Sequence, residues 1–419
     1  MTESPARQAI LRHFVTSAFA HHKPSRVAVA VSGGGDSMAL LCVMAEWAKS
    51  EKIPLFAVTV NHGLRDEAAH EAAFVAETCQ RLQVNHTTLD WTGWQGEGNL
   101  QDAARRARYD LMAEWSKGLG ISQIALAHTC DDQAETFFMR LARASGIDGL
   151  TGMQRRRTDQ GITWVRPFLM AARDDLRSYL RDIHQPWIDD PTNDDERFDR
   201  IKARRAMEAL APLGVDADVV GRVMDHLAQV RTALDYASHD HALECMRMDH
   251  GDLIVDRRRF AEAAPEITRR LMSSALRWIA SADYGPRGLA LQEFISSALR
   301  GRDATLHGVR LIAGTEQFRL TREYDAVRDT TSAAVDLWDN RWRVKNNENQ
   351  SLVIRALGED GLAQVAERPP NAPPRPALMS SPALFDGPTL VASPILGLGS
   401  HEIVLDVGKD DVFTTLLCH

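Results

Sequence analysis

The amino-acid sequence predicts an α/β protein: a doubly wound parallel sheet, followed by smaller helical and α+β domains in the C-terminal half. Three observations predict it. Strand and helix signals alternate over the first ~130 residues. The first strand candidate is a continuous apolar, β-branched run rather than a period-two alternation, the pattern of a strand covered on both faces. It runs into three consecutive glycines and then into a helix.

The elements follow in order. Residues 26–31 (RVAVAV) form a buried strand, and a helix covers about 38–49. Residues 55–60 form the second strand and 66–81 a helix. A strand at 84–91, a helix at 99–117, a strand at 121–127 and a helix at 131–144 complete the alternation. After Gly152 the pattern loosens: a strand near 164–169, a short helix at 172–183, a polar turn at 187–193 (WIDDPTN) and a basic helix at 195–210. Helical texture resumes through 218–245 and 261–300, followed by β-like runs at 307–312 and 318–322. From about residue 335 aromatic strand signals appear near 338–344 and 352–356, and PPNAPPRP at 369–376 reads as a linker. The expected division is 1–214, 215–330 and 331–419: an α/β domain, a mostly helical domain and a small β-rich domain.

Composition excludes several classes. Of 419 residues, 44% are hydrophobic and 25% charged, enough apolar material for cores and too much for a disordered chain. No apolar run approaches the roughly 18–20 residues of a membrane span, and the N-terminus has no basic segment followed by an apolar core. The five cysteines are scattered without pairing or metal-ligand spacing, as expected of a protein of the reducing cytoplasm. The net charge is −8, yet residues 140–205 hold 14 Lys+Arg against 11 Asp+Glu, a basic segment in an acidic chain.

Ser32-Gly33-Gly34-Gly35-Asp36-Ser37 carries the chemistry. Glycines let the backbone turn sharply and approach a ligand closely. The following helix offers free N–H groups and its positive dipole end, and Ser32 and Ser37 add hydroxyls, so the string suits a phosphate or pyrophosphate. It is neither a Gly-x-x-x-x-Gly-Lys-Ser/Thr loop nor a Gly-x-Gly-x-x-Gly fingerprint. No lysine offsets phosphate charge, and Asp36 adds a negative one, which points to Mg²⁺ bridging Asp36 and the phosphates. Asp131 and Asp132 lie at the carboxyl end of the fourth strand, where ligands bind in open α/β sheets, and they head a helix that they can also cap. Glu135 is one turn beyond Asp131, and Arg105 and Arg108 share a helix face.

The hexapeptide resembles the pyrophosphate-binding loop of the N-type ATP pyrophosphatases, the PP-loop superfamily, which adenylate an oxygen and then displace AMP with a nucleophile. Further strings narrow the resemblance: Asn61-His62-Gly63-Leu64-Arg65, Ala104-Arg105 with Ala107-Arg108-Tyr109, Ala127-His128-Thr129-Cys130-Asp131-Asp132-Gln133-Ala134-Glu135-Thr136, residues 140–153 (RLARASGIDGLTGM), Arg166-Pro167-Phe168 and Asp190-Pro191-Thr192-Asn193. In this order they look like the tRNA(Ile)-lysidine synthetase family, densely over about 25–205 and thinly beyond. Two positions depart from it. Thr129 stands where the family has a second His, and Arg200-Ile201-Lys202-Ala203-Arg204 has Ile in the Asn position of an Arg-Asn-x-x-Arg signature.

The resemblance implies a two-step reaction on tRNA(Ile) with a CAU anticodon. ATP adenylates the C2 oxygen of the wobble cytidine; free L-lysine then attacks C2 through its ε-amine, and AMP leaves. Ser32 to Ser37, His62 and Arg65 would hold ATP, with Asp36 on Mg²⁺. Asp36, Arg105, Arg108, His128, Asp131 and Asp132 form the expected catalytic set, His128 as a base candidate. Asp132 and Glu135 would bind lysine. Arg155, Arg156, Arg157, Lys202, Arg204 and Arg205 would contact tRNA phosphates, and Arg257–Arg259 with Arg269 and Arg270 would do so further along. A homodimer is left open. Competing readings are a sulfur-inserting tRNA enzyme with the same loop, for which Cys130 is the only cysteine inside a motif, and a non-catalytic ATP- and RNA-binding module.

Overall fold

The computed structural model describes residues 3–63, 68–92, 100–189, 199–282, 284–345, 351–406 and 411–417. It opens with a helix absent from the sequence reading, α1 (Glu3–Phe19). Leu11, Val15 and Phe19 recur every four residues, so one face is buried, and Phe19 stacks on Trp47 with ring centroids 4.9 Å apart. Then follow β1 (Val27–Ala30), α2 (Gly35–Glu51), β2 (Leu55–Asn61), α3 (Ala68–Arg81), β3 (Asn85–Asp90), α4 (Leu100–Gly118), β4 (Gln123–Ala125) and α5 (Cys130–Leu141), the expected alternation. Beyond them lie α6 (Ile147–Leu150), the hairpin β5 (Arg156–Asp159) and β6 (Ile162–Val165), α7 (Arg173–Asp182), α8 (Asp199–Leu210) and α9 (Ala217–Cys245).

The strands form one sheet in the order β3-β2-β1-β4-β6-β5. All neighbours run parallel except the edge strand β5, antiparallel to β6. The strand expected at 164–169 starts earlier and ends at Val165; Arg166 still donates its amide to Arg155 O in the hairpin register, and Pro167 has none to carry the ladder on. Val29 pairs with Ala57 on one side and Ala125 on the other, and all three enter the core built with α1, α2 and α7. The neighbouring Ala28, with Val58 and Ile124, enters a second core on the opposite face, against Met112 and Ala113 of α4. That two-faced burial is why these strands read as unbroken apolar runs. The chain leaves β1 toward β2 on one side, and β4 pairs with β1 on the other. The crevice at their carboxyl ends is therefore a topological switch point.

The chain separates into two compact units, Met1–Arg231 and Thr232–His419, with the division inside α9. The boundary expected at 214/215 falls just ahead of that helix, at the turn Ala211–Leu213 closed by left-handed Gly214. Helices make up more than half of residues 215–330, and strands are interleaved with them. The second unit holds β7 (Met246–Asp249), β8 (Asp252–Asp256), α10 (Arg257–Glu262), α11 (Pro265–Ala280), α12 (Gly288–Leu299), β9 (Ala304–Leu306), β10 (Val309–Ala313) and β11 (Gln317–Arg322). The five strands make an antiparallel sheet, β7-β8-β11-β10-β9. A smaller sheet, β12-β14-β15-β16, and the pair β13–β17 follow, from β12 (Thr331–Ala333), β13 (Trp342–Val344), β14 (Val353–Ala356), β15 (Pro382–Asp386), β16 (Thr389–Ala392) and β17 (Ile403–Leu405).

Most basic residues expected to meet tRNA in this unit are committed to its own structure. Arg257 caps the carbonyls of Gly314 and Thr315, and Arg259 donates to Glu244 O at 2.9 Å. Arg269 pairs with Glu266, and buried Arg270 reaches Asp235 at 2.8 Å. Arg258 stays exposed, 3.7 Å from Glu262. Of these only Arg270 is buried, where its charge requires a partner.

Candidate active site

The loop 32–37 joins β1 to α2, and the helix begins inside the glycine run rather than after it. Gly33 has φ +88°, a left-handed conformation that side chains resist. Gly34 is extended and serves as N-cap. Gly35 lies against Trp187, whose ring would be 3.4 Å from an added Cβ. Ser37 Oγ accepts from the Ser32 amide at 3.1 Å and donates to Gly34 O at 2.9 Å, which stiffens the turn. Ile188 N closes on Gly33 O at 3.0 Å. Asp36 stands in the first turn of α2; burial, with Asp132 nearby, raises its pKa to about 6 against the pull of Arg173.

Arg173, the first residue of α7, is the residue that sequence reasoning missed. Its Nε donates to Asp36 Oδ2 at 3.2 Å, Nη2 to Asp132 Oδ1 at 3.2 Å and Nη1 to Glu135 Oε1 at 3.4 Å. Its backbone amide donates to Asp131 Oδ2 at 2.8 Å. Burial works to lower its pKa, and Asp132, Asp36, Glu135 and Asp131 more than reverse that. One signal could have found it. A helix N-terminus disfavours a cation, so an arginine there needs carboxylates from elsewhere.

Asp131, Asp132 and Glu135 are brought together on the first turns of α5. Thr129, the departure from the family pattern, is fully buried and caps the helix. Its hydroxyl and amide both donate to Asp132 Oδ2, at 3.0 and 2.8 Å, leaving Oδ1 for cations. Burial alone would raise the pKa of Asp132; Arg173 and the Thr129 amide outweigh it, and the carboxyl is held below its ordinary value. Glu135 is 2% exposed. Its Oε1 accepts from Arg204 Nη2 at 2.9 Å as well as from Arg173, while Oε2 is buried without a hydrogen-bond partner among the described residues, as is Asp36 Oδ1. Arg204, expected on tRNA phosphate, is thus seated on Glu135. Arg200, one turn earlier on α8, lies 4.0 Å from Asp132, and the unexpected Ile201 between them is buried.

A cationic wall faces these acids. Arg166, 6% exposed, donates from Nε to His128 Nδ1 at 3.2 Å and from Nη1 to Gln154 O at 2.8 Å. Burial, together with Arg166, Arg108 and Arg200, pushes the pKa of His128 down to about 3 despite Asp132. In that environment the ring is neutral, with Nδ1 accepting from Arg166 and Nε2 left to donate. Arg105 and Arg108 share one face as anticipated and lie over the Tyr109 ring, 5.5 and 6.0 Å from its centroid. His62 follows β2, its ring edge-on to Trp91 at 5.7 Å and its Nδ1 buried without a hydrogen-bond partner among the described residues. Burial, then Arg108, lowers its pKa. Arg65 and the stretch 190–193 lie outside the described residues.

The remaining basic residues divide by exposure. Arg155, Arg157, Lys202 and Arg205 are exposed, with Arg157 on Asp159 at 2.7 Å and Lys202 on Asp199 at 3.4 Å. Arg156 is half-buried: it holds Ala18 O at 2.8 Å and Gln123 Oε1 at 2.9 Å, tying α1 to β4. The hairpin explains this, since alternate residues of β5 point to opposite faces.

A mostly parallel sheet with a glycine loop at its switch point is the architecture of the PP-loop proteins, and residues 6–210 match the PP-loop domain. Comparison with known proteins narrows the class. Over 98% of its length, and 98% of the relative's, the chain is 41% identical to the tRNA(Ile)-lysidine synthase of Ruegeria pomeroyi. It is 38% identical to that of Rhodopseudomonas palustris, over 68% of this chain and 84% of the relative. With that of Wolbachia pipientis it shares 33% over 80% of each. The chain belongs to the tRNA(Ile)-lysidine synthase family, and the similarity runs through the C-terminal half, where the motifs are thin.

Proposed function

We propose that this protein ligates lysine to C2 of the wobble cytidine of tRNA(Ile) with a CAU anticodon, through an adenylated tRNA. In the first step the cytidine O2 attacks the α-phosphorus of ATP and pyrophosphate leaves. In the second the ε-amine of lysine, having lost a proton, bonds to C2, and the C2–O2 bond breaks to release AMP. The carrying observation is a convergence: a single guanidinium reaches both the loop carboxylate Asp36 and the acids Asp132 and Glu135. Nucleotide and amine sites therefore meet at one point, as a reaction joining them demands.

The loop amides, Ser32 and Ser37 hold the phosphates at the N-terminus of α2. Asp36 suits Mg²⁺, since Oδ1 is a buried oxygen without a partner; the metal would neutralise phosphate charge as pyrophosphate departs. Asp132, kept ionised, and Glu135 receive the lysine ammonium. His128 donates a hydrogen bond to the cytidine, and Arg105 and Arg108 stabilise the negative charge of the leaving groups. Exposed Arg155, Arg157, Lys202 and Arg205 supply tRNA phosphate contacts. Among the described residues no helix is long and apolar enough to cross a membrane. The buried free cysteines Cys42, Cys79, Cys130 and Cys245 suit a reducing cytoplasm.

The sulfur-inserting alternative needs a reactive thiol. Burial, then Asp131, pushes the Cys130 thiol up to about 12, which leaves it protonated and unreactive. The deciding experiment is incubation with ATP, radiolabelled lysine and the tRNA, followed by nucleoside analysis. Labelled lysidine is expected. AMP release without a labelled nucleoside would overturn the reading.

A further inference from the structure

Arg173 opposes the local preference of its position, for its positive charge sits at the positive end of α7. What holds it there is acidic and comes from two other helices. Asp36 belongs to α2, Asp132 and Glu135 belong to α5, and each takes a separate N–H edge of the same guanidinium. Without a cation between them, three carboxylates brought to one point would repel one another. The main-chain bond from the Arg173 amide to Asp131 fixes where the side chain starts.

We infer that Arg173 is a positioning residue for the ligation: it holds the nucleotide-side carboxylate and the amine-side carboxylates in register. This rests on the reading under Proposed function, and it adds a residue that no motif contains. Lysine could not substitute, because its three donors sit on one nitrogen and cannot span acceptors held by three separate nitrogens of a planar fork. The same contacts fix the acceptor capacity left for the incoming amine. Asp132 Oδ1 and Glu135 Oε1 are engaged, and Glu135 Oε2 is the buried oxygen still unfilled.

The test uses the full chain and two variants, Arg173→Met and Arg173→Lys, with wild type as control. Lysine incorporation into tRNA by wild type decides the underlying reading; the variants decide the role of Arg173. Arg173→Met is expected to raise KM for lysine and for ATP together, each by about tenfold or more, with tRNA Kd changed by less than about twofold. Arg173→Lys is expected to restore the melting temperature but neither KM. A lower lysine KM in either variant would show that the guanidinium competes for the amine seat, and would overturn the inference. So would a rise confined to one substrate, or normal KM values in a stably folded Arg173→Lys.

Discussion

Arg166 Nε donates to His128 Nδ1 across 3.2 Å, and that bond places the imidazole proton on Nε2. Since burial and the surrounding arginines hold the pKa near 3, the ring is neutral and donating throughout the physiological range. His128→Gln should keep more activity than His128→Ala, because an amide can still donate. A titration of the His128 ring followed by NMR should show no ionisation between about pH 5 and 8; a midpoint inside that window would restore the role of base.

Asp36→Ala should cut AMP and pyrophosphate formation by at least about a hundredfold, the scale of losing one group that stabilises reacting charge. The fold should survive, as Asp36 is partly exposed and contributes no core contact. Wild-type turnover in that variant, measured by pyrophosphate release, would remove Asp36 from the mechanism.

Asp132→Asn has two expected effects. The helix cap with Thr129 is weakened, costing about 1 kcal/mol and a few degrees in Tm. The charge facing the amine is lost, so KM for lysine should rise about tenfold or more while KM for ATP moves far less. Equal shifts in both would remove the amine-binding role.

The triplet 155–157 should split under single substitution. Arg155→Ala and Arg157→Ala should weaken tRNA binding and lower the slope of log affinity against log salt by about one each. Arg156→Ala should leave that slope unchanged and lower Tm, because it frees Ala18 O and Gln123. A salt series on the three variants checks all of this together.

Stability of the second unit should fall with rising pH through Asp252. Burial raises this carboxyl to about 6, against Arg319, Thr321 and Arg341. The folded state therefore binds the proton more tightly than the unfolded chain, so the contribution is present at low pH and lost as pH rises through 6. A shift from 3.8 to about 6 corresponds to about 3 kcal/mol. Asp252→Asn should flatten this component between pH 4 and 7, read as the difference in urea unfolding from wild type. An unchanged slope would show that Asp252 does not carry this proton.

The central strands β1, β2 and β4 were legible because burial on both faces leaves uninterrupted apolar runs, whereas the polar edge strand β5 gave no such signal. The start of α2 was not, since Gly35, Asp36 and Ser37 are poor helix formers held in place by the loop. The β7–β8 hairpin was missed because only Leu253, Ile254 and Val255 are apolar between flanking aspartates. In the site, residues that cluster along the chain could be assigned together. Arg173 and Arg204 could not, because a charge in sequence does not name its partner. The folded chain alone brings Arg204 to Glu135 and Arg173 to Asp36.

The contacts of Trp187 and Ile188 with the glycine loop bear on how the protein is made. The loop leaves the ribosome early, but the indole that packs on Gly35 and the amide that binds Gly33 O are translated about 150 residues later. A nascent chain ending before residue 187 carries the whole hexapeptide and still lacks one wall of its cradle. Nucleotide affinity should therefore arise late in synthesis, when the rest of the sheet is already in place.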